Sequence, residues 1–109
     1  MTKELVHRLH PGDVAVICHS DLDSLAAQEL VSRGVAAVLN TDDVGTGRIP
    51  NKGPAVLLGS GIPLIDRLGR DFVDRVSEGD RLSIRGGGVF REGRPLGRGR
   101  QVTERAVQE

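Results

Sequence analysis

The chain has 109 residues and no formal net charge, 15 Lys and Arg balancing 15 Asp and Glu, and 38% of its residues are apolar. Those figures suit one compact unit with its own core. They exclude the excess positive charge on which generic nucleic-acid and anionic-membrane binding rest. One cysteine, Cys18, rules out an internal disulfide framework and a Cys-only zinc site.

Residues 1–10 form a short polar and apolar segment, closed by the turn signature Pro11-Gly12-Asp13. Val14-Ala15-Val16-Ile17-Cys18 reads as a strand, a run of small and β-branched residues of the kind buried on both faces of a sheet. His19-Ser20-Asp21-Leu22-Asp23 follows, with Ser20 and Asp23 spaced as a capping-box variant. Leu22, Leu25, Ala26 and Leu30 keep helical spacing, and Gly34 ends that helix at C′. Val35-Ala36-Ala37-Val38-Leu39 is a second buried strand. Strand, helix and strand in this order predict a βαβ unit with parallel strands and a right-handed crossover.

From Asn40 to Gly53 the chain reads NTDDVGTGRIPNKG, a loop without periodicity inside a compact unit, which is functional or disordered. Pro54 is placed to open a helix reaching Ser60, and Gly61 closes it. Ile62-Pro63-Leu64-Ile65-Asp66 reads as a third strand, and residues 70–76 as a short helix turning Phe72, Val73 and Val76 inward. After Asp80 the alternation Arg81-Leu82-Ser83-Ile84-Arg85 marks a half-exposed strand. Gly86-Gly87-Gly88 and Glu92-Gly93 turn hairpins that Pro95-Leu96 and Gln101-Val102 would extend. Thr103 would cap a final helix cut short over 104–109, which suggests that a longer natural polypeptide continues. The expected architecture is a single three-layer α/β domain over 1–109. Its βαβ-type part covers 11–80 and its hairpins 81–103, with a mixed sheet led by parallel strands, short flanking helices and C-terminal antiparallel hairpins.

Charge is unevenly divided. Residues 1–80 carry 8 basic against 12 acidic groups, net −4, and residues 81–109 carry 7 against 3, net +4. The arginines of the second part either form an anion or partner face or protect edge strands from aggregation. With Trp and Tyr absent and only Phe72 and Phe90 aromatic, a base-stacking platform is not expected.

The segment from Pro11 to Gly93 resembles the N-terminal domain of SteA-type cytokinetic-ring proteins of Gram-positive bacteria. The matching pieces are PGDVAVICHSDLD, GVAAVLN, GTGRIPNKGP, GIPLID and EGD, of which GRIPNKGP is the most specific. Family members usually carry Asp where Cys18 stands and Tyr where Ile49 stands. In that family the module precedes a domain similar to thiamin pyrophosphokinase and a membrane-anchoring region. The resemblance implies a non-catalytic regulatory or interaction module in septal cell-wall remodelling. A more distant likeness, of architecture, is to the swivelling phosphohistidine domain of phosphoenolpyruvate-utilising enzymes. Lys52 stands at the position matching that family's phosphoryl-carrying His, with Asn51 where its Ser would be. A lysine amine, with a pKa of about 10.4, is protonated at neutral pH and has no free lone pair for that chemistry.

Three readings of the candidate residues remain side by side. The Gly45–Gly53 loop, with Gly47, Arg48, Asn51, Lys52 and Gly53, precedes a helix start that favours an anion, and Arg48 can fork onto phosphate or carboxylate. It lacks the Walker A order, and its glycines also serve a plain turn. Loops at the carboxyl ends of parallel strands gather on one edge, which would bring His19, Asp21 and Asp23 near Asn40, Arg48 and Asn51. That edge is a polar pocket with His19 as acid or base, a weak metal site, or a set of helix caps and ion pairs. Cys18 and His19 point to opposite faces if both continue the strand, so Cys18 is expected to be a buried, inert thiol. His7 and His10 are expected on the surface, since two ligands do not make a zinc site. No catalytic residue, metal or cofactor is assigned. The partners expected are a protein at the division site or a phosphate-type small ligand, with nucleic acid and membrane excluded. The alternatives are an anion- or nucleotide-binding part of a thiamin pyrophosphokinase-like enzyme, and homodimerisation through the hairpin edge at 81–102. The absence of a signal-peptide core or a bilayer-length apolar run gives a cytoplasmic expectation.

Overall fold

A computed structural model describes residues 12–18, 22–42, 52–77 and 79–103. Seven strands and three helices are present among them: β1 (Val14–Ile17), α1 (Ser24–Ser32), β2 (Ala37–Asn40), α2 (Gly53–Gly59), β3 (Leu64–Asp66), α3 (Phe72–Arg75), β4 (Leu82–Arg85), β5 (Gly88–Arg91), β6 (Arg94–Arg98) and β7 (Arg100–Gln101). The fold is α/β. One sheet has the order β1-β2-β3-β7, and a second, three-stranded sheet the order β4-β5-β6. β1, β2 and β3 run parallel, Val14 beside Ala37 and Val38 beside Leu64, while β7 joins β3 antiparallel. The parallel βαβ pairing and the antiparallel hairpins are as the sequence predicts.

Alternation along the strands of the first sheet builds three layers. Ala15, Ile17, Val38 and Leu64 face one side, where they bury Ala27 and Leu30 of α1 and Leu57 of α2. Leu39 and Ile65 face the other side and pack with Phe72 of α3, Val89 of β5 and the half-buried Leu82, Ile84 and Leu96. A strand apolar on both faces needs a cover on each; here helices supply one and the hairpin sheet the other. Fully burying a Leu, Ile or Phe side chain contributes roughly 1.5–3 kcal/mol, so these two clusters hold the layers together.

Several boundaries differ from those expected. The first helix is capped by Asp23, whose carboxylate accepts from the Ala26 amide at 2.7 Å, and the Ser20 and Asp21 caps lie outside the described residues. Starting the helix at Ser24 rotates Ala27 and Leu30 into the core and leaves Leu25 75% exposed, against the inward position its spacing suggested. Gly34, at φ +70°, does end this helix. The second strand begins two residues late and takes in Asn40. In the third, Pro63 stays outside the ladder while its carbonyl accepts from the Val38 amide at 2.9 Å. Val73 is half-buried beside the fully buried Phe72, and Val76, in extended backbone just past α3, packs on the second cluster.

The largest departure is at the C-terminal end. Gln101 does not extend a hairpin: Arg100 and Gln101 leave the hairpin sheet and pair with Asp66 and Ile65 of β3. The crossing point is Gly99. Its amide donates to the Gly87 carbonyl at 2.7 Å, and a methyl group on its Cα would overlap the Asp66 carbonyl oxygen and stand 3.1 Å from Ile65 Cγ2. Only a residue without a Cβ lets the two sheets approach here. A β-bulge at Leu96, between the pairs Phe90–Pro95 and Val89–Gly97, turns that side chain to the core. The residues 104–109 expected to begin a helix lie outside the described residues, and Thr103 is not helical.

A small ionic cluster ties α3 to the hairpins. Arg75 Nη1 donates to the Leu96 carbonyl at 3.0 Å, and Arg91 Nη1 donates to the Arg75 carbonyl at 3.2 Å and to Asp80 Oδ2 at 2.7 Å. The Ser77 amide donates to the same Asp80 oxygen at 2.8 Å. The Ser77 amide first, then the Arg91 guanidinium, hold the Asp80 carboxyl below its ordinary value. The unfolded chain therefore binds this proton more readily than the folded one. The stabilisation is in place above the unfolded-state pKa and disappears as pH falls through the folded one. Carboxyl-carbon NMR is expected to show Asp80 titrating at lower pH in the folded than in the urea-unfolded chain. Arg91→Ala should raise the folded midpoint, and a midpoint unmoved by that change would contradict the pairing.

Candidate functional site

The carboxyl ends of β1, β2 and β3 form one edge, and the backbone there is closely knit. The Thr41 amide donates to the Ile17 carbonyl at 3.0 Å, continuing the β1–β2 pairing past the strand ends. Amides of the segment after β3 donate back onto the segment after β2: Leu68 to Asn40 at 3.2 Å, Gly69 to Thr41 at 2.9 Å and Arg67 to Asp42 at 3.0 Å. Arg67 holds φ +58°, the left-handed region that a non-glycine residue enters only under constraint. Asn40 and Thr41 are buried, and Asp42 is half-buried. The Thr41 hydroxyl donates to Asp42 Oδ1 at 3.3 Å, and the exposed Arg70 lies 3.6 Å from the same oxygen.

The second chain crossing at this edge is between α2 and the turn that opens α1. A methyl group at Gly53, the first residue of α2, would overlap the Leu22 carbonyl and crowd the Asp23 carbonyl oxygen. The end of the glycine-rich loop is therefore pressed against the backbone just beyond β1, and Lys52 stands exposed at that contact. Of the residues named from sequence, Asp23 and Gly53 come together, Lys52 is their neighbour in the chain, and Asn40 is enclosed beneath the edge. His19, Asp21, Gly47, Arg48 and Asn51 lie outside the described residues, as do His7 and His10.

Cys18 requires a correction. It is exposed, one residue beyond the end of β1, and not a buried thiol. The strand stops at Ile17, which is buried under the helical layer, and Cys18 stands beyond its last pairing. Free Cys is so often buried that the residue type misleads here. The expected result is complete modification of Cys18 by Ellman's reagent within minutes in buffer, at close to the rate found in denaturant. A thiol protected until urea is added would contradict the exposed placement.

Sequence reasoning missed Asp66 and Arg100. Asp66 has no solvent exposure, and Arg100 is one-third exposed. The guanidinium forks onto the carboxylate, Nε to Oδ1 at 2.9 Å and Nη2 to Oδ2 at 2.7 Å. An aspartate ending the apolar run Leu64-Ile65 was the available signal, because a buried carboxylate needs a matching cation. This pair locks the carboxyl end of β3 to the strand arriving from the hairpins. Among the described residues no group of three His, Cys, Asp or Glu is arranged to hold a metal ion. No helix among them is long and apolar enough to cross a membrane.

Comparison with protein-family models, with curated proteins and with solved structures finds no match to this chain. The functional reading therefore starts from the residues and the geometry of this edge.

Proposed function

We propose that this chain is a non-catalytic regulatory or interaction module of a cell-division protein similar to the SteA type, with the carboxyl edge of β1–β3 as its contact surface. The observation that supports the non-catalytic part is the employment of the carboxylates at that edge among the described residues. Asp23 caps α1, Asp66 is forked by Arg100, and Asp42 is held by Thr41 and Arg70. A general acid or base presents its proton-transferring group to a substrate, whereas each of these three serves the scaffold. The cell-division part, and with it a role in septal cell-wall remodelling, rests on the sequence likeness carried by PGDVAVICHSDLD and GTGRIPNKGP.

Two measurements test the reading. A fluorescent fusion of the chain in a dividing Gram-positive host is expected to gather at the septum, and uniform fluorescence would count against the cell-division role. In the second, the isotope-labelled chain is titrated with millimolar ADP, pyrophosphate or thiamin phosphates and followed by amide NMR. Residues 45–56 are expected to stay unshifted. Shifts confined to them and lost in Arg48→Ala would replace the proposal with the anion-binding part of an enzyme.

A further inference from the structure

The hairpin sheet has two unlike faces. Leu82, Ile84 and Val89 point to the core, so alternation turns Ser83, Arg85 and Phe90 outward. Register places Arg85 beside Gly88 and Gly88 beside Arg98, with Ser83, Phe90 and Pro95 in the next row. The Phe90 ring folds across Gly88, its edge carbons 3.0 and 3.1 Å from where a Cβ there would stand. A half-exposed ring thus sits between two exposed arginines, and exposed Arg81 precedes the same row of β4. Among the described residues the side chains of Arg85 and Arg98 make no hydrogen bond or ion pair, unlike those of Arg75, Arg91 and Arg100. Residues 81–103 carry six arginines and one acidic residue, Glu92.

We infer that this outer face is a docking surface for an extended, carboxylate-bearing segment of a partner protein. Arginine forks match carboxylates in plane and charge, and arginine with an aromatic ring is the composition enriched at the centre of protein interfaces. Arg85 and Arg98 lie two strand spacings apart, roughly 10 Å, which about three residues of extended chain span. An extended chain turns only alternate side chains to one face, so the occupant carries two carboxylates four positions apart, met by the long arginine stems, with an apolar side chain midway between them that meets the Phe90 ring. A nucleic acid fits less well. One ring offers a single stacking position, and a chain without net charge lacks the general attraction that strand binding draws on. The inference shares with the interaction-module reading only the protein nature of the partner; the surface is a different one.

The test is an amide NMR titration of the full chain with a capped peptide repeating Asp-Thr-Leu-Thr, its Lys-Thr-Leu-Thr counterpart, and a single-stranded oligothymidylate. The acidic peptide is expected to shift amides of β4, β5 and β6, and Arg85→Ala with Arg98→Ala is expected to weaken it at least tenfold while the remaining spectrum stays folded. The basic peptide should leave the sheet unshifted. Silence at millimolar acidic peptide, shifts elsewhere, an unchanged affinity in the double variant, or tighter binding of oligothymidylate would each overturn the inference. Septal gathering of the fusion alongside such a result would leave the module reading standing and remove only this surface.

Discussion

Gly99→Ala is expected to cost at least about 3 kcal/mol, a large share of the roughly 5–15 kcal/mol that keeps a unit of this size folded. The added methyl has no empty direction to move into. On one side stands the Asp66 backbone carbonyl, on another Ile65 Cγ2, and the Gly99 amide is fixed by its bond to Gly87. Relief requires parting β3 from the incoming β7, which breaks the pairing of Ile65 with Gln101 and of Asp66 with Arg100. Gly59→Ala is the control. Gly59 closes α2, has nothing within 4 Å of a Cβ, and has no positive φ. Removing its conformational freedom should raise stability by about 0.5 kcal/mol. Urea midpoints measure both, and a Gly99→Ala loss as small as an ordinary surface substitution would show that the two sheets do not meet at this residue.

The Asp66–Arg100 pair gives the second large effect, and its two halves are unequal. Asp66→Ala removes a wholly buried carboxylate from beneath a partly exposed guanidinium, which can turn toward water. Arg100→Ala leaves the carboxylate buried without its fork. Breaking one side of a buried pair costs roughly 3–5 kcal/mol. With Arg100 one-third exposed, the Asp66→Ala loss should fall at or below the low end of that range and the Arg100→Ala loss above it. The double change Asp66→Leu with Arg100→Met is expected to recover much of either loss, since apolar replacement of both partners removes the desolvation cost together with the attraction. Additive losses in a double-mutant cycle would mean that the two groups are not coupled.

The strands were legible where burial on both faces wrote continuous apolar runs, as in Val14–Ile17 and Val38-Leu39, and where strict alternation marked Leu82–Arg85. The turn at Glu92-Gly93 was legible from residue type, with Glu92 at φ +53° ahead of Gly93 at +79°. What failed had a common cause, which is that tertiary position overrode a local signal. Leu25 has helical spacing but lies on the wrong side of a helix whose start is set by Asp23. Gln101 reads as a hairpin residue but is drawn to the free edge of β3. Asp66 and Arg100 are 34 residues apart, so no local pattern joins them. At the candidate edge, the approach of α2 to the chain after β1 was foreseeable from strand order, while the enclosure of Asn40 depends on how the segment after β3 folds back over it.

The capture of two C-terminal residues by β3 also bears on how the polypeptide assembles during synthesis. Until Arg100 and Gln101 have left the ribosome, the Leu64–Asp66 strand keeps an open hydrogen-bonding margin, and the Asp66 carboxylate has not met its counter-ion. The nascent chain thus carries a sticky border while the 34 residues from Asp66 to Arg100 are added, and closing it is a long-range event that governs when the molecule becomes safe from self-association.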